Sequence, residues 1–466
     1  MMRLAAGALA TLVLVGCASF STDGGFGKVS ELTKERTGQV VAVQRSQEDS
    51  DTARARVSEL LKAPLTTDSA VQVALMNNRG LQAKFGELGI AETDLVRAGR
   101  LKNPSFSFGR LSGGGSVEIE RAVIFDVLGL LTMPLAAEVG QGRFEQTQYQ
   151  VAYEAVGLAT DVRRAYFDAV AAQELVKFFQ QVKETADVSN ELAKRMLQAG
   201  NFGKLTQMRE QAFYADATAQ LARARHQATA EREKLTRLLG LSGDQLTFRL
   251  PERLPDLPKQ PTEPQNAVQT AMDKRLDVLM AKRSTDATAR SLGLTKATRL
   301  VNVLELGYQN KSESGSPRAN GFEIELELPL FDFGSTRAAR AEATYMQAVN
   351  RTAEVAVNAQ SEVREAYSAY RTAFDLAKHY RDEVVPLRKR ISEENLLRYN
   401  GMLISVFELL TDAREQVAGV TGYVQALRDF WVAETNLQTA LTGRSPGASN
   451  VSQPAASAGT TPAQGH

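Results

Sequence analysis

The chain has 466 residues, with 55 Lys and Arg against 54 Asp and Glu, 43% hydrophobic residues and a mean hydropathy of −0.25. This length exceeds that of one ordinary compact domain, so we expect two units or a repeat. The formal charge of +1 leaves no basic excess to neutralise phosphates, which argues against a nucleic-acid-binding protein. One cysteine and three histidines argue against an intramolecular disulfide and a Cys- or His-based metal site.

The N-terminus has the features of an exported protein. Residues 1–16 begin with a positive charge at Arg3 and continue with an apolar run of signal-peptide length, too short to span a bilayer. The run ends at Cys17, the only cysteine, in a sequence that resembles the lipobox of bacterial lipoproteins. We predict a cleaved signal peptide over 1–16, a lipid such as palmitate on Cys17, and an N-terminal segment over 17–65. A plain secretory signal with an incidental cysteine is the alternative.

The body of the chain is a tandem repeat of about 200 residues. Val-Arg-Arg-Ala-Tyr at 162–166 recurs as Val-Arg-Glu-Ala-Tyr at 363–367, an offset of 201, and Gly200 recurs as Gly401 at the same offset. The sequence therefore predicts a first repeat over 66–250, a Pro-rich connector over 251–264, a second repeat over 265–443 and a disordered tail over 444–466.

Each repeat is predicted to contain a helix, two strands and a long helical hairpin. The first helix is expected over 67–101, where Asn103 and Pro104 follow, and its counterpart over 265–297. The hairpin of the first repeat is expected to start at Pro134, because proline suits a first helical turn. Apolar residues at alternating steps of three and four predict coiled-coil-like packing of the hairpin helices.

The clearest strand pattern lies in 322–330, with Phe, Ile and Leu on one face and Glu323, Glu325 and Glu327 on the other. This alternation suits either a half-buried soluble sheet or a membrane barrel with lipid outside and water inside. An exported chain, with aligned carboxylates that lack a basic partner on the same strand, favours the barrel. Since four strands per chain cannot close a barrel, a trimer with about twelve strands is predicted.

In such a barrel the three glutamates would line the lumen and favour cations. Glu118 and Glu120 of the first repeat are expected to add to them. Arg121 interrupts the alternation in the first repeat, so the prediction depends on the second repeat.

Several junction sequences, together with the duplication and the lipobox, resemble the TolC-like family of outer-membrane efflux proteins over about residues 60–443. The junctions are Asn103-Pro104, Leu328-Pro-Leu-Phe-Asp-Phe-Gly334, Ala199-Gly-Asn-Phe-Gly-Lys-Leu205 and Tyr399-Asn-Gly-Met-Leu403. The resemblance implies a mainly α fold with a small β part: a trimeric twelve-stranded outer-membrane β-barrel followed by a long α-helical periplasmic tunnel.

The resemblance also implies the function of the chain. It predicts a homotrimer anchored in outer-membrane lipid and extending into the periplasm, a passive conduit driven by an inner-membrane pump through a periplasmic adaptor (membrane fusion) protein. No enzymatic activity, cofactor or metal site is predicted, because no catalytic constellation or phosphate loop is found. The alternative hypothesis is a non-conducting structural or adhesive coiled-coil lipoprotein, which needs no lipid-facing sheet. Drugs, metal ions and secreted molecules stay equally compatible as substrates.

Acidic residues mark the predicted periplasmic entrance. Glu408 and Asp412 are four positions apart and share one helical face. The family forms constricting acidic rings in this stretch; Glu408 matches the first ring position, whereas Thr411 occupies the second and Asp412 is a displaced substitute. The alternative is a solvated face with Arg414 or Arg209 as ion-pair partners.

The two hairpin tips are predicted to dock the adaptor. Gly200 and Gly401 would permit tight reversals, most usefully where φ is positive. Apolar side chains beside them offer contact area: Leu197, Leu205, Met402 and Leu403. Closing the hairpins internally is the alternative role for these side chains.

Overall fold

The computed structural model describes residues 19–301, 303–327 and 331–447, and it confirms a mainly helical fold with a small antiparallel sheet. Within these ranges, no helix has the length and apolar character that a membrane-spanning helix requires. The predicted signal peptide and Cys17 lie outside the described residues.

Among the described residues, four helices precede the first strand. They are α1 Phe26–Thr37, α2 Gln47–Leu60, α3 Thr67–Asn77 and α4 Arg79–Ala98. The expectation of one helix over 67–101 is wrong, because Asn78 adopts an extended conformation with φ −67° and ψ 116°. Its side chain accepts a hydrogen bond from the Leu81 N–H at 3.0 Å, so Asn78 caps α4 instead of continuing α3.

The first repeat continues with two strands and a long helical hairpin. These are β1 Ser105–Gly113, β2 Ser116–Asp126, α5 Val127–Gln198 and α6 Lys204–Leu239. The expected start at Pro134 is wrong: the Asp126 carboxylate accepts the Gly129 N–H at 2.6 Å, so the helix starts directly after β2. Pro134 therefore lies inside α5 and leaves the Leu130 carbonyl without its helical donor.

The Pro-rich segment 251–264 forms neither helix nor strand but is ordered. Leu254 and Leu257 are buried, and the Trp431 indole N–H donates to the Pro255 carbonyl at 3.0 Å. The segment is therefore a packed connector, as its proline content predicts.

The second repeat has the same order of elements as the first. They are α7 Ala267–Lys274, α8 Leu276–Ala297, β3 Leu304–Glu313, β4 Ala319–Leu326, α9 Ser335–His379, α10 Val385–Asn400 and α11 Val406–Thr442. One turn of π-helix, Tyr380–Val384, joins α9 to α10 directly before Pro386. Pro386 thus stands in the first turn of α10, where its missing N–H removes little.

A buried arginine divides the predicted 265–297 helix into α7 and α8. Arg275 is 1% exposed and its guanidinium pairs with Asp277 at 2.8 Å and with Glu362. Two carboxylates compensate the desolvation of this charge, which an isolated buried arginine would not tolerate. The backbone leaves the helical region at Arg275, with φ −69° and ψ 128°.

The chain packs as two compact units, each of which takes segments from both repeats. Of the described residues, the first unit contains those up to Leu60, Gln72–Leu158 and Val278–Val357; the second contains Leu61–Val71, Ala159–Asp277 and those from Asn358 onward. The sheet lies in the first unit, and both hairpin tips lie in the second. The domain boundaries predicted from the repeat remain a prediction, since packing groups the chain by contact and not by sequence copy.

The second unit has an aromatic core and an ordered C-terminal turn. Phe430 packs against Tyr370 and Phe374, with ring centroids 5.5 and 5.8 Å away. Arg444 is buried and pairs with Asp161 at 2.9 Å. Residues 444–447 are thus ordered where the sequence predicts the start of the tail; the rest of the tail lies outside the described residues.

Candidate functional site

The sheet has two faces of opposite chemistry, fixed by its register. Its strand order is β1-β2-β3-β4, all pairs being antiparallel, and β1 and β4 are its edges. Residues directly opposite each other share a face. One such row is Phe106, Val123, Tyr308 and Phe322, and the next row on the other face is Ser107, Ala122, Gln309 and Gly321.

The first of these faces, the apolar face, is open in the chain. Phe322 is 82% exposed, Ile324 70%, Phe106 67% and Phe108 59%. A contiguous band of aromatic and aliphatic side chains at this exposure indicates a surface that another apolar phase covers.

The opposite face, the acidic face, collects every carboxylate of the strands. Its members are Glu118, Glu120, Asp126, Glu305, Glu313, Glu323 and Glu325. Among the described strand residues, one cation shares this face: Lys311, which pairs with Glu118 and, at 3.3 Å, with Glu120. The face therefore has a net negative charge. Glu305 and Glu313 were missed by sequence analysis, although residues 304–313 show the same period of two.

Glu327 and Arg121 do not lie on the acidic face of the sheet. Glu327 follows β4, and its N–H donates to the Val303 carbonyl at 3.3 Å, so it lies at the rim of the sheet. Arg121 lies opposite Phe108 and Asn310, on the apolar face, and donates to the Asn310 side chain at 3.0 Å. It therefore leaves the acidic face of the first repeat intact, and it interrupts the alternation, as expected from the sequence, by placing a charge on the apolar face.

A capped turn connects the sheet region to α9. Asp332 accepts the Gly334 N–H and the Thr336 hydroxyl, both at 2.7 Å, and these bonds lower the pKa of Asp332. Gly334 has φ 68°, and a Cβ there would lie 2.3 Å from the Arg299 carbonyl oxygen. The glycine of the Phe-Asp-Phe-Gly junction is thus required by both backbone and space.

Both hairpin tips are closed by the same Schellman motif. In the first tip, residues 197–205, the Gly200 N–H donates to Leu197 O at 3.0 Å and the Asn201 N–H to Met196 O at 2.9 Å. In the second tip, residues 399–405, the Met402 N–H donates to Tyr399 O at 2.9 Å and the Leu403 N–H to Arg398 O at 2.8 Å.

Different residue types fill the left-handed position of this motif in the two tips. Gly200 has φ 79°, but Gly401 has φ −80°, and Met402 takes the left-handed position with φ 59°. The expectation that Gly401 provides the left-handed turn is thus not met. The structural offset between the tips is 202 instead of 201, as the helix starts at Lys204 and Val406 also show.

The tips lie together and expose apolar side chains. A groove of about 620 Å³ is lined by residues of both tips, among them Phe202, Tyr399 and Met402. Met402 is 93% exposed, Leu403 78% and Leu205 62%, whereas Leu197 is half-buried. Leu197 therefore contributes to closing its hairpin, and the other three form a surface.

The two acids of the predicted constriction are in different environments. Glu408 is exposed in the first turn of α11, where its N–H donates to the Ser405 hydroxyl at 3.3 Å. Asp412 is 5% exposed, and neither carboxylate oxygen has a hydrogen-bond partner among the described residues. Arg414, the suggested partner, lies over the Phe213 ring and donates to the Arg209 carbonyl. A buried Asp412 does not line a passage, so only Glu408 fits the predicted role.

A counterpart of Asp412 lies in the first hairpin and was missed by sequence analysis. Glu210 is 1% exposed and accepts a hydrogen bond from the Ser189 hydroxyl at 2.8 Å. It precedes Asp412 by 202 residues, so it could be found only with the structural offset. Within the described residues, no group of three or more His, Cys, Asp and Glu is arranged to hold a metal ion.

Comparison with known proteins supports this architecture. Residues 267–392 match the family described as outer membrane efflux protein. The cobalt-zinc-cadmium resistance protein CzcC of Cupriavidus metallidurans is 23% identical over 280 residues, which cover 58% of this chain and 64% of that protein.

Solved structures share the fold at low identity. The outer-membrane channel OprN superposes with a TM-score of 0.69 at 20% identity, covering 84% of this chain and 92% of OprN. The open state of the MtrE outer membrane channel of Neisseria gonorrhoeae gives 0.67 at 16% identity, covering 80% and 88%. The family match thus lies within the second repeat, and the solved outer-membrane channels share the fold of this chain.

Proposed function

We propose that the chain is the outer-membrane channel component of a tripartite efflux or export system. It would be a passive conduit from periplasm to exterior, driven by an inner-membrane pump through a periplasmic adaptor. The observation that carries this proposal is the sheet, which exposes apolar side chains on one face and places seven carboxylates on the other. Lipid on one side and water on the other suit the apolar side chains and the carboxylates, and Arg110 and Arg121 are the charges that the register places on the apolar face.

The channel is proposed to be a homotrimer. The four strands leave β1 and β4 as unpaired edges, and an unpaired edge in lipid leaves backbone N–H and C=O groups without partners. Pairing β1 of one copy with β4 of the next in three copies would give a closed barrel of about twelve strands. The trimer and the tripartite partners are proposed from the similarity of this chain to outer-membrane efflux channels.

The tips are proposed to dock the adaptor. Exposed Met402, Leu403 and Leu205 supply apolar area beside a groove that both tips line. Gly200 and Gly401 keep the backbone of the tips uncovered by side chains. A methionine-containing surface adapts readily to a partner.

The conduit is proposed to prefer cations. The acidic face, including Glu323 and Glu325, would line the barrel, with Glu327 at its rim, and Glu408 would add a second acidic zone at the tip end. Salt should screen the preference over a Debye length of about 10 Å at 0.1 M.

Cys17 is proposed to carry the lipid anchor. Its support is the apolar run that ends at this single cysteine. Mass spectrometry of the mature protein should show an acylated Cys17 as the first residue. Cys17→Ala should remove the acyl mass and leave trimers, because the sheet inserts independently of the anchor.

The proposed duct is passive, so its substrates are those that the pump delivers, and the residues of the duct do not select them. The resistance protein that matches this chain is named for cobalt, zinc and cadmium. Those cations are therefore the first substrates to test, in a strain that lacks this chain.

The central test compares neighbouring residues on opposite faces of β4. Purified trimers should conduct in stepwise units in a planar bilayer. Phe322→Arg should cut the number of inserted channels, because a charge on the lipid face costs about 2–4 kcal/mol per copy near the bilayer midplane. Glu323→Arg should insert normally and shift the reversal potential across a salt gradient away from cation preference.

Two results would contradict the proposal. Trimers that never conduct would favour the alternative of a structural or adhesive coiled-coil lipoprotein. Equal insertion of both variants would show that the two faces do not meet different phases. Glu408→Gln, measured in the same bilayers, separates the contribution of the tip from that of the barrel.

A further inference from the structure

A basic, hydroxyl-rich groove lies on the helices of the first unit. It has a volume of about 460 Å³ and is lined by α5, α8 and α9. Arg143 of α5 and Arg337 and Arg340 of α9 contribute guanidinium groups, and Ser291, Thr295 and Thr298 of α8 contribute hydroxyls. The described residues that line this groove include no carboxylate.

Two acids of α5 that are close in sequence to groove residues are engaged by arginines of α8, and Asp286 and Glu342, which neighbour lining residues in sequence, do not line the groove. Glu145 pairs with Arg283 at 3.8 Å and Glu138 with Arg290 at 3.3 Å, both across α5 and α8. Arg143 and Arg340 form no ion pair with a carboxylate among the described residues. The guanidiniums of Arg143, Arg337 and Arg340 therefore give the groove a positive potential that attracts an anion.

The guanidinium of Arg337 is held in place by the backbone. It donates to the Thr298 carbonyl at 3.4 Å and to the Arg299 carbonyl at 3.2 Å. This fixes one donor group at the end of α8, beside the Thr298 hydroxyl. A fixed guanidinium loses less entropy when it binds a ligand than a free one does.

From this arrangement we propose that the groove binds a phosphate group. Planar guanidinium forks match phosphate oxygens bidentately, and hydroxyls supply additional short hydrogen bonds. The volume lies in the range of ligand pockets, about 300–1,000 Å³, which allows a phosphate that is part of a larger molecule.

The groove spans neighbouring helices of the first unit. A Cβ at Gly140 of α5 would touch Ala98 of α4 at 3.2 Å, ion pairs join α5 to α8, and the Thr285 and Thr352 hydroxyls join α8 to α9 at 2.8 Å. The order is therefore α4-α5-α8-α9, and the groove extends over α5, α8 and α9.

The position of the groove suggests the molecule that carries the phosphate. Thr298 precedes β3 by six residues, which span at most about 20 Å. Resting on the proposed function, in which the sheet crosses the outer membrane, this end of the groove lies beside the layer of phospholipid headgroups. A soluble phosphorylated compound is the other source of the same chemistry, and phosphate binding itself does not depend on conduction.

The test uses the full-length protein, purified in detergent and depleted of lipid. Native mass spectrometry would count bound phosphatidylglycerol against phosphatidylcholine, with inorganic phosphate as competitor. Phosphatidylglycerol should bind preferentially, and Arg143→Gln with Arg340→Gln should weaken it by at least roughly tenfold, as expected for two charge-assisted contacts. Arg351→Gln, an exposed arginine on α9 outside the groove, should bind as the wild type does.

The outcomes separate the sources and the two proposals. Competition by millimolar phosphate supports a soluble phosphate ligand, and preferential lipid binding without competition supports a headgroup. Equal binding of both lipids together with no phosphate binding, or a double variant that binds like the wild type, would overturn the inference. Arg340→Lys should restore part of the binding lost in Arg340→Gln, which excludes a folding defect. Lipid binding in trimers that fail to conduct would contradict the proposed function and would not contradict this inference.

Discussion

The two hairpins close with the same backbone turn, but they differ in the residue at the left-handed position and in the buried acid that follows the turn. At equivalent positions, 202 residues apart, the first hairpin has Gly200, Gly203 and Glu210 and the second has Met402, Ser405 and Asp412. Glycine is the favoured residue in the left-handed position of a Schellman motif, and methionine is strained there. The second tip thus gives up backbone stability while exposing a large apolar side chain, which indicates that its surface is the more specialised for binding.

The buried acids show the same contrast. Glu210 has the Ser189 hydroxyl as donor, but Ile391 occupies the position 202 residues later, and Asp412 has no hydrogen-bond partner among the described residues. An unpartnered buried carboxylate destabilises a helix pair. The hairpin of the second tip is therefore expected to open more readily than that of the first.

The largest expected effect is on adaptor docking. Met402→Asp with Leu403→Asp should weaken adaptor binding by about 3 kcal/mol, roughly 150-fold, because charges would replace the most exposed apolar side chains of the tips. Site-specific cross-linking of adaptor to channel in cells measures the loss, with export as a second readout.

Leu205→Asp at the first tip is the matched control for that experiment. It changes an exposed leucine beside the same groove and should reduce cross-linking less than the double variant does. Unchanged cross-linking in the double variant would show that the second tip is not the docking surface.

Removal of a single hydroxyl should have the next largest effect. Ser189→Ala would leave the buried Glu210 without the donor it now has at 2.8 Å, lowering the free energy of unfolding by about 2 kcal/mol. Denaturant titration followed by helical circular dichroism measures the change. Val188→Ala, at a 72% exposed neighbour, should leave stability unchanged or raise it slightly, because alanine has the higher helix propensity; equal losses in both variants would contradict the role assigned to the Ser189 hydroxyl.

The two tip glycines should respond differently to alanine. Gly200→Ala should cost about 1 kcal/mol, because Gly200 has φ 79° and its surroundings are open, so the cost is backbone strain alone. Gly401→Ala should leave stability unchanged or raise it by up to about 1 kcal/mol, since φ is −80° and a Cβ would make ordinary contacts at 3.5 Å or more. Thermal unfolding of the two variants side by side checks this; an equal loss in both would mean that the tips do not differ as described.

Sequence patterns predicted the features that depend on local periodicity. The glutamates of β4 alternate with apolar residues, so their shared face followed from the pleat alone. The start of α5 was missed because a side-chain cap at Asp126 outweighs the preference of Pro134 for a first turn. The left-handed residue of the second tip was missed because glycine was aligned with glycine, one position away from the structural match.

Features that depend on contacts between distant segments were outside the reach of the sequence. The burial of Asp412 depends on which helices pack against α11. The basic groove joins Arg143 from the first repeat to Arg340 from the second, and each looks like an ordinary exposed helical arginine. Only the packing of α5, α8 and α9 in one unit brings these charges together.

The smallest expected effect tests whether the second tip loses backbone stability in order to expose a binding side chain. Met402→Gly removes left-handed strain at φ 59° and should stabilise the closed tip by about 0.5–1 kcal/mol. Hydrogen exchange of the tip amides should therefore slow by roughly two- to fivefold, because exchange there follows local opening. Adaptor cross-linking should fall in the same variant, since the 93% exposed side chain is gone. Faster exchange would show that Met402 stabilises the turn, and slower exchange with full cross-linking would show that its side chain has no part in docking.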